Sequence, residues 1–124
     1  MASQVLVVTT NPARLATVMR VLRGAGYAVS GAQTFAEAKQ QLEEQAPEVI
    51  VTEARLGAFN GLHLAVLGRA RHAGVKALVV STESEQWVEL EARRLNVEWL
   101  AQPTTTDGWV ELIAATLAGK RAAS

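Results

Sequence analysis

Five short apolar runs recur at near-even spacing along the chain, at residues 5–8, 27–29, 49–51, 77–80 and 97–100. A strand with one wet face would alternate apolar and polar positions. Apart from Glu98 these runs are continuous and rich in valine, which predicts strands buried on both faces of a parallel sheet. Between them the period changes. Leu15, Val18, Met19 and Leu22 fall at i, i+3, i+4 and i+7 and line one side of a helix. Phe35, Ala38 and Leu42 mark a second helix, and Leu64, Leu67 and Arg71 a weaker third. Leu90 with Arg94, and Val88 with Leu95, border a fourth, while Trp109, Leu112, Ile113 and Leu117 line a fifth.

The residues between the runs agree with this division. Asn11 before Pro12 reads as an N-cap with proline in the first turn. Thr34 and Glu37 read as a capping box, in which each side chain satisfies an orphan amide of the other. Gly24 and Gly26 are expected to end the first helix and Gly74 the third. Strand and helix alternate five times, which implies right-handed crossovers and a doubly wound α/β domain. Residues 1–124 read as one domain, with residues 119–124 as a polar tail. Such a sheet presents its crevice at the carboxyl ends of its strands. The residues there are Thr9, Thr10, Thr52, Glu53, Ser81, Thr82 and the stretch from Ala101 to Pro103.

Composition narrows the chemistry. The 49% hydrophobic and 19% charged residues exclude disorder. With no cysteine, disulfide scaffolds, thiolate zinc sites and cysteine nucleophiles are excluded. No signal peptide pattern and no apolar run of membrane-spanning length is present, so a cytoplasmic protein without a membrane partner is expected. Twelve basic residues balance twelve acidic ones, which argues against a nucleic-acid partner. Among the acids, Asp107 is the only aspartate. Residues 1–36 hold Arg14, Arg20 and Arg23 without an acid, and residues 83–98 are rich in glutamate. Solvated helix faces explain both stretches.

The strand ends carry a more specific pattern. Val5-Leu-Val-Val-Thr-Thr-Asn-Pro12, Glu48-Val-Ile-Val-Thr-Glu-Ala-Arg-Leu-Gly57 followed by Phe59-Asn-Gly-Leu62, Ala77-Leu-Val-Val-Ser81 and Trp99-Leu-Ala-Gln-Pro103 stand in this order. In order and spacing they resemble the four motifs of a receiver domain of bacterial two-component signalling, over about residues 4–118. The resemblance implies a flavodoxin-like sheet with strand order 2-1-3-4-5. It places Thr9 and Thr10 where the family has an acidic pair and Glu53 where it has the phosphoacceptor aspartate. Asn60 and Gly61 fall on the opening of the third helix, Ser81 and Trp99 on the switch pair, and Gln102 on the lysine. Gln102-Pro103 stands where the family has a cis bond.

These departures strip the pocket. Family members hold Mg2+ with three carboxylates, because a hard dication requires oxygen anions. Thr9 and Thr10 offer neutral hydroxyls, and Gln102 supplies no positive charge. Phosphoryl transfer depends on positioned charge and metal, so the implied module is a pseudo-receiver that needs no metal or cofactor and is not an enzyme. Glu53 admits two readings. Either its carboxylate imitates a phosphoryl group, with Ser81 and the Gln102 amide as donors, or the pocket has decayed and Glu53 points to water.

The expected partner is a protein: a kinase, a phosphotransfer protein or an output module. A homodimer through the face of the fourth helix, fifth strand and fifth helix is also implied, with Trp87 as a candidate contact. Trp109, on an apolar stripe, reads as core, and Trp99 as partly buried. The alternative function is a small-ligand or nucleotide sensor using the vacated crevice; residual phosphotransfer on Glu53 ranks below it. His63 and His72 have no zinc spacing, and no G-x-S-x-G elbow surrounds Ser81 that would support a triad with His63 and Glu53.

Overall fold

In a computed structural model of the protein, residues 4–81, 86–101 and 106–123 are described. Seven strands and five helices follow one another as β1 (Gln4–Val8), α1 (Pro12–Gly24), β2 (Ala28–Ala32), α2 (Phe35–Glu44), β3 (Val49–Glu53), β4 (Arg55–Leu56), β5 (Phe59–Asn60), α3 (Gly61–Arg71), β6 (Lys76–Ser81), α4 (Gln86–Leu95), β7 (Glu98–Ala101) and α5 (Thr106–Ala123). Five of the strands form one parallel sheet in the order β2-β1-β3-β6-β7. Counted along the sheet strands alone, this is the expected order 2-1-3-4-5.

Alternation along the strands decides which helix covers which face. Val5, Val7, Val49, Val51, Leu78 and Val80 pack with Leu15, Val18 and Leu22 of α1 and with Trp109, Ile113 and Leu117 of α5. Their neighbours in sequence point the other way. Leu6, Val8 and Ile50 meet Ala38 and Leu42 of α2 and Leu64 of α3. Ala77 and Val79 meet Leu62 and Ala65 of α3 and Val88 and Ala92 of α4. Each central strand therefore has two dry faces, as its continuous apolar run requires.

Several boundaries differ from the sequence reading. β2 is an edge strand, only partly buried, and runs from Ala28 to Ala32 instead of residues 27–29. The Thr34 hydroxyl accepts from the Glu37 amide at 3.1 Å, but the Glu37 carboxylate turns to the Gln33 amide at 3.4 Å, so the capping box closes one residue early. α5 runs on to Ala123, into the stretch read as a polar tail; its Lys-Arg-Ala-Ala ending consists of good helix formers. α3 ends at Arg71, ahead of Gly74. Its capping residue His72 places Nε2 3.2 Å from the Leu42 carbonyl oxygen, whereas His63 is exposed, so the two histidines do not meet as ligands would.

The glutamate-rich helix α4 is internally paired, as a solvated face should be. Arg93 reaches Glu89 at 2.7 Å, and Arg94 donates to Glu91 at 2.8 and 3.1 Å. The hydrogen bond from Arg94 holds the Glu91 carboxyl below its ordinary value. Such exposed pairs contribute little to stability.

One element was not foreseen. Between β3 and α3 the chain makes a miniature antiparallel hairpin, Arg55 opposite Asn60 and Leu56 opposite Phe59. Gly57 sits at φ 63° and Ala58 does not share that sign, which matches a type II′ turn with its obligatory glycine at the first central position. Phe59 stacks on Phe35 of α2, with ring centroids 5.0 Å apart and planes 15° apart.

Candidate functional site at the carboxyl ends of the strands

β3 lies between β1 and β6 and ends at Glu53. Val49 and Val51 face α1 and α5, so alternation sends the Glu53 side chain to the same side. Val5 and Val7 share that face, and Thr9 continues their parity. The register pairs Val8 with Thr52, which brings Thr9 opposite Glu53 in the next position. Ser81 has the parity of Ala77 and Val79, the side of α3 and α4. Strand alternation and register thus bring Glu53 beside Thr9.

The contacts follow that geometry. The Thr9 hydroxyl donates to Glu53 Oε1 at 2.6 Å and the Thr10 amide donates to the same oxygen at 2.8 Å. The Thr10 hydroxyl stands at 3.4 Å. Arg14 Nη1 is 3.9 Å from the other oxygen, Oε2. The Glu53 side chain is 12% exposed, and Thr9 is fully buried. Thr9 Oγ1 also accepts from the Asn11 amide at 3.2 Å, and Asn11 caps α1 by accepting from the Arg14 amide at 3.1 Å. The Arg14 guanidinium lies over the Trp109 ring, 5.8 Å from its centroid, and Trp109 is buried completely. A single chain of contacts therefore links the end of β3, the β1–α1 connection and the first turns of α5.

The reading in which Glu53 points to water is corrected by this geometry. The carboxylate does not point to water, because two donors of the β1–α1 connection hold Oε1. The other reading also requires the Gln102 amide, which lies outside the described residues. Thr9 and Thr10 are donors to an anion, not ligands offering negative charge. Thr82, Gln102 and Pro103, with the expected cis bond, lie outside the described residues. Sequence reasoning passed over Arg14; the available signal was its place in the first turn of α1, three residues after the cap.

The residues beyond Glu53 are anchored in both directions. The Ala54 amide donates to the Val80 carbonyl and the Gly61 amide to the Ala54 carbonyl, each at 2.8 Å. Asn60 caps α3, accepting from the Leu62 amide at 2.8 Å. Arg55 carries its guanidinium to 5.4 Å from the centroid of the Trp87 ring, so Trp87, 40% exposed, faces the hairpin. Trp99 is half-buried and packs against the cluster that holds Ala54, Val79, Val88 and Val97.

The donor set does not suit a divalent cation. Among the described residues no group of three or more His, Cys, Asp or Glu side chains could hold a metal ion. Among the described residues the one carboxylate at the strand ends is already engaged by two hydrogen-bond donors and faced by a guanidinium, which occupies the electrostatic place of a cation. A cleft of about 390 Å³ opens at the other end of the sheet, lined by Arg69, Lys76, Asn96 and Glu98, away from the expected crevice. Among the described residues no helix is long and apolar enough to cross a membrane.

Known proteins agree with the fold. A receiver domain protein, CheY-like, from Methanospirillum hungatei superposes with a TM-score of 0.89 at 18% identity, with all of both chains covered. The chemotaxis protein CheY4 of Vibrio cholerae gives 0.81 at 19% identity, covering 93% of this chain and 98% of its own. A response regulator from Burkholderia pseudomallei with a phosphorylated aspartic acid, a calcium ion and citrate gives 0.78 at 24% identity; 87% of this chain and 64% of that one are covered. No curated protein sequence matches the chain. The profile of the family described as response regulator receiver domain matches residues 5–100, and the chain belongs to that family of two-component signalling modules.

Proposed function

We propose that this receiver domain signals by protein–protein contact without being phosphorylated. The observation that carries the reading is the engagement of Glu53 by the Thr9 hydroxyl, the Thr10 amide and the Arg14 guanidinium. A phosphoacceptor has to be open to the donor and close to a divalent metal. Here a glutamate occupies the position, its charge is met internally, and hydroxyls stand where carboxylates would hold the metal. The module is a non-enzymatic, cytoplasmic one. Its partner is a kinase, a phosphotransfer protein or an output module, and a second copy on the α4–β7–α5 face is the candidate homodimer. Trp87, partly exposed beside Arg55, is the contact residue on the hairpin side of α4.

The reading is tested by titrating Mg2+ together with beryllofluoride while following tryptophan fluorescence. Trp109 is joined to Glu53 through Arg14, so a ligand that reorganised the pocket would change the indole environment. Emission is expected to stay constant through millimolar Mg2+, and a saturable change that requires both components would refute the proposal.

A further inference from the structure

We propose that the end of β1 and the start of α1 form a carboxylate-binding site, which the chain fills with its own Glu53. This rests on the reading that the pocket takes no metal, and it adds the chemical class that the pocket does take. Among the described residues every polar contact to the Glu53 carboxylate comes from a donor on this connection: the Thr9 hydroxyl at 2.6 Å, the Thr10 amide at 2.8 Å, the Thr10 hydroxyl at 3.4 Å and Arg14 at 3.9 Å. The donors precede and begin a helix of thirteen residues, whose N-terminal end carries positive potential. No acid lies in the first turn of α1 to compete. A cation placed here would meet a guanidinium and outward-pointing protons, whereas an anion meets four complementary groups. The seated carboxylate is the independent sign that an anion fits, since Glu53 belongs to β3 and reaches the site across the sheet.

Arg14 is fixed for this role from both sides. Its backbone amide is held by the Asn11 cap at 3.1 Å, and its guanidinium lies over the Trp109 ring. The ring face attracts the cation, and Nη1 stands 3.9 Å from Oε2. The site is thus a built feature of α1 and α5, with Glu53 as a tethered ligand at high effective concentration.

The test removes the tether and supplies the ligand. The atoms deleted by Glu53→Ala are those of an acetate ion. In chloride at pH 7 the variant should melt several degrees below the parent. Sodium acetate at matched ionic strength should raise that midpoint saturably, by about 5 °C at ten times its dissociation constant, and leave the parent unchanged. Glu53→Gln, which keeps the volume filled, should show no acetate response. Adding Arg14→Gln to the alanine variant should raise the half-saturating acetate concentration about fivefold. If the alanine variant does not fold in chloride, its refolding yield in acetate against chloride gives the same reading, a higher yield in acetate supporting the site.

Equal effects of acetate on the parent and on Glu53→Ala, or no effect on either, would overturn the carboxylate site. Adding Mg2+ to the parent separates this failure from that of the metal-free reading. Stabilisation by Mg2+ defeats both, whereas absence of any Mg2+ effect with no acetate rescue defeats the carboxylate site alone.

Discussion

Gly61→Ala is expected to lower the stability of the fold by about 2–4 kcal/mol, read as a fall in the urea midpoint at unchanged m-value. A Cβ on Gly61 would run into the backbone carbonyl oxygen of Glu53, with the Thr52 hydroxyl 3.0 Å away and the Glu53 carbonyl carbon 3.1 Å away. Carbonyl atoms cannot rotate aside as a flexible side chain can. The end of β3 or the start of α3 would have to move, and the 2.8 Å bond from the Gly61 amide to the Ala54 carbonyl spans that gap. The displaced atoms belong to Glu53 itself, so the variant should also weaken its contacts to Thr9 and Thr10. Gly24 is the matched control: nothing lies within 4 Å of a Cβ added there, and alanine should be tolerated. A Gly61→Ala protein as stable as the parent would mean that the β3–α3 connection is looser than described.

The second large effect is a contrast at Trp109. Truncation to alanine should cost about 3–5 kcal/mol, because the ring fills the centre of the cluster between the sheet, α1 and α5 and is buried completely. Replacement by phenylalanine should cost less than about 1.5 kcal/mol. Among the described residues the indole Nε1 is buried without a hydrogen-bond partner, so removing it is expected to forfeit no bond and to relieve an unsatisfied donor. Phenylalanine keeps an aromatic face for Arg14, although a weaker one than indole. Urea unfolding of both variants measures the difference. Equal losses would show that the indole N–H has a partner that matters.

How much of this was legible in the sequence depended on whether a single physical period controlled the feature. The central strands were read correctly because Val5, Val7, Val49 and Val51, and their neighbours, are buried on both sides and leave no polar position to confuse the run. At the edge strand β2, Ser30 and Gly31 interrupt the apolar pattern, and backbone pairing to β1 extends the strand beyond it. The helix caps at Asn11 and Thr34 were visible because a cap is a local device. The bond from the Gln33 amide to Glu37 was not, since it depends on how the chain enters α2. The hairpin of β4 and β5 is held by a two-residue ladder and the Phe35–Phe59 stack, too short for any periodic signal.

For the site, Thr9, Thr10 and Glu53 were found by position, and their relation to one another was not. That relation is set by register, the pairing of Val8 with Thr52 that brings Thr9 opposite Glu53. Arg14 was missed for the same reason. Three residues past a cap, it read as part of a solvated helix face, and only the packing of α1 beside β3 and α5 turns it towards Glu53 and Trp109.

The retained scaffold with a charge-inverted pocket is tested most directly by incubating the protein with acetyl phosphate and Mg2+ and measuring its intact mass. The mass is expected to remain that of the unmodified chain. A gain of one phosphoryl group, lost again on treatment with hydroxylamine, would show a working acyl phosphate at this pocket and contradict the account.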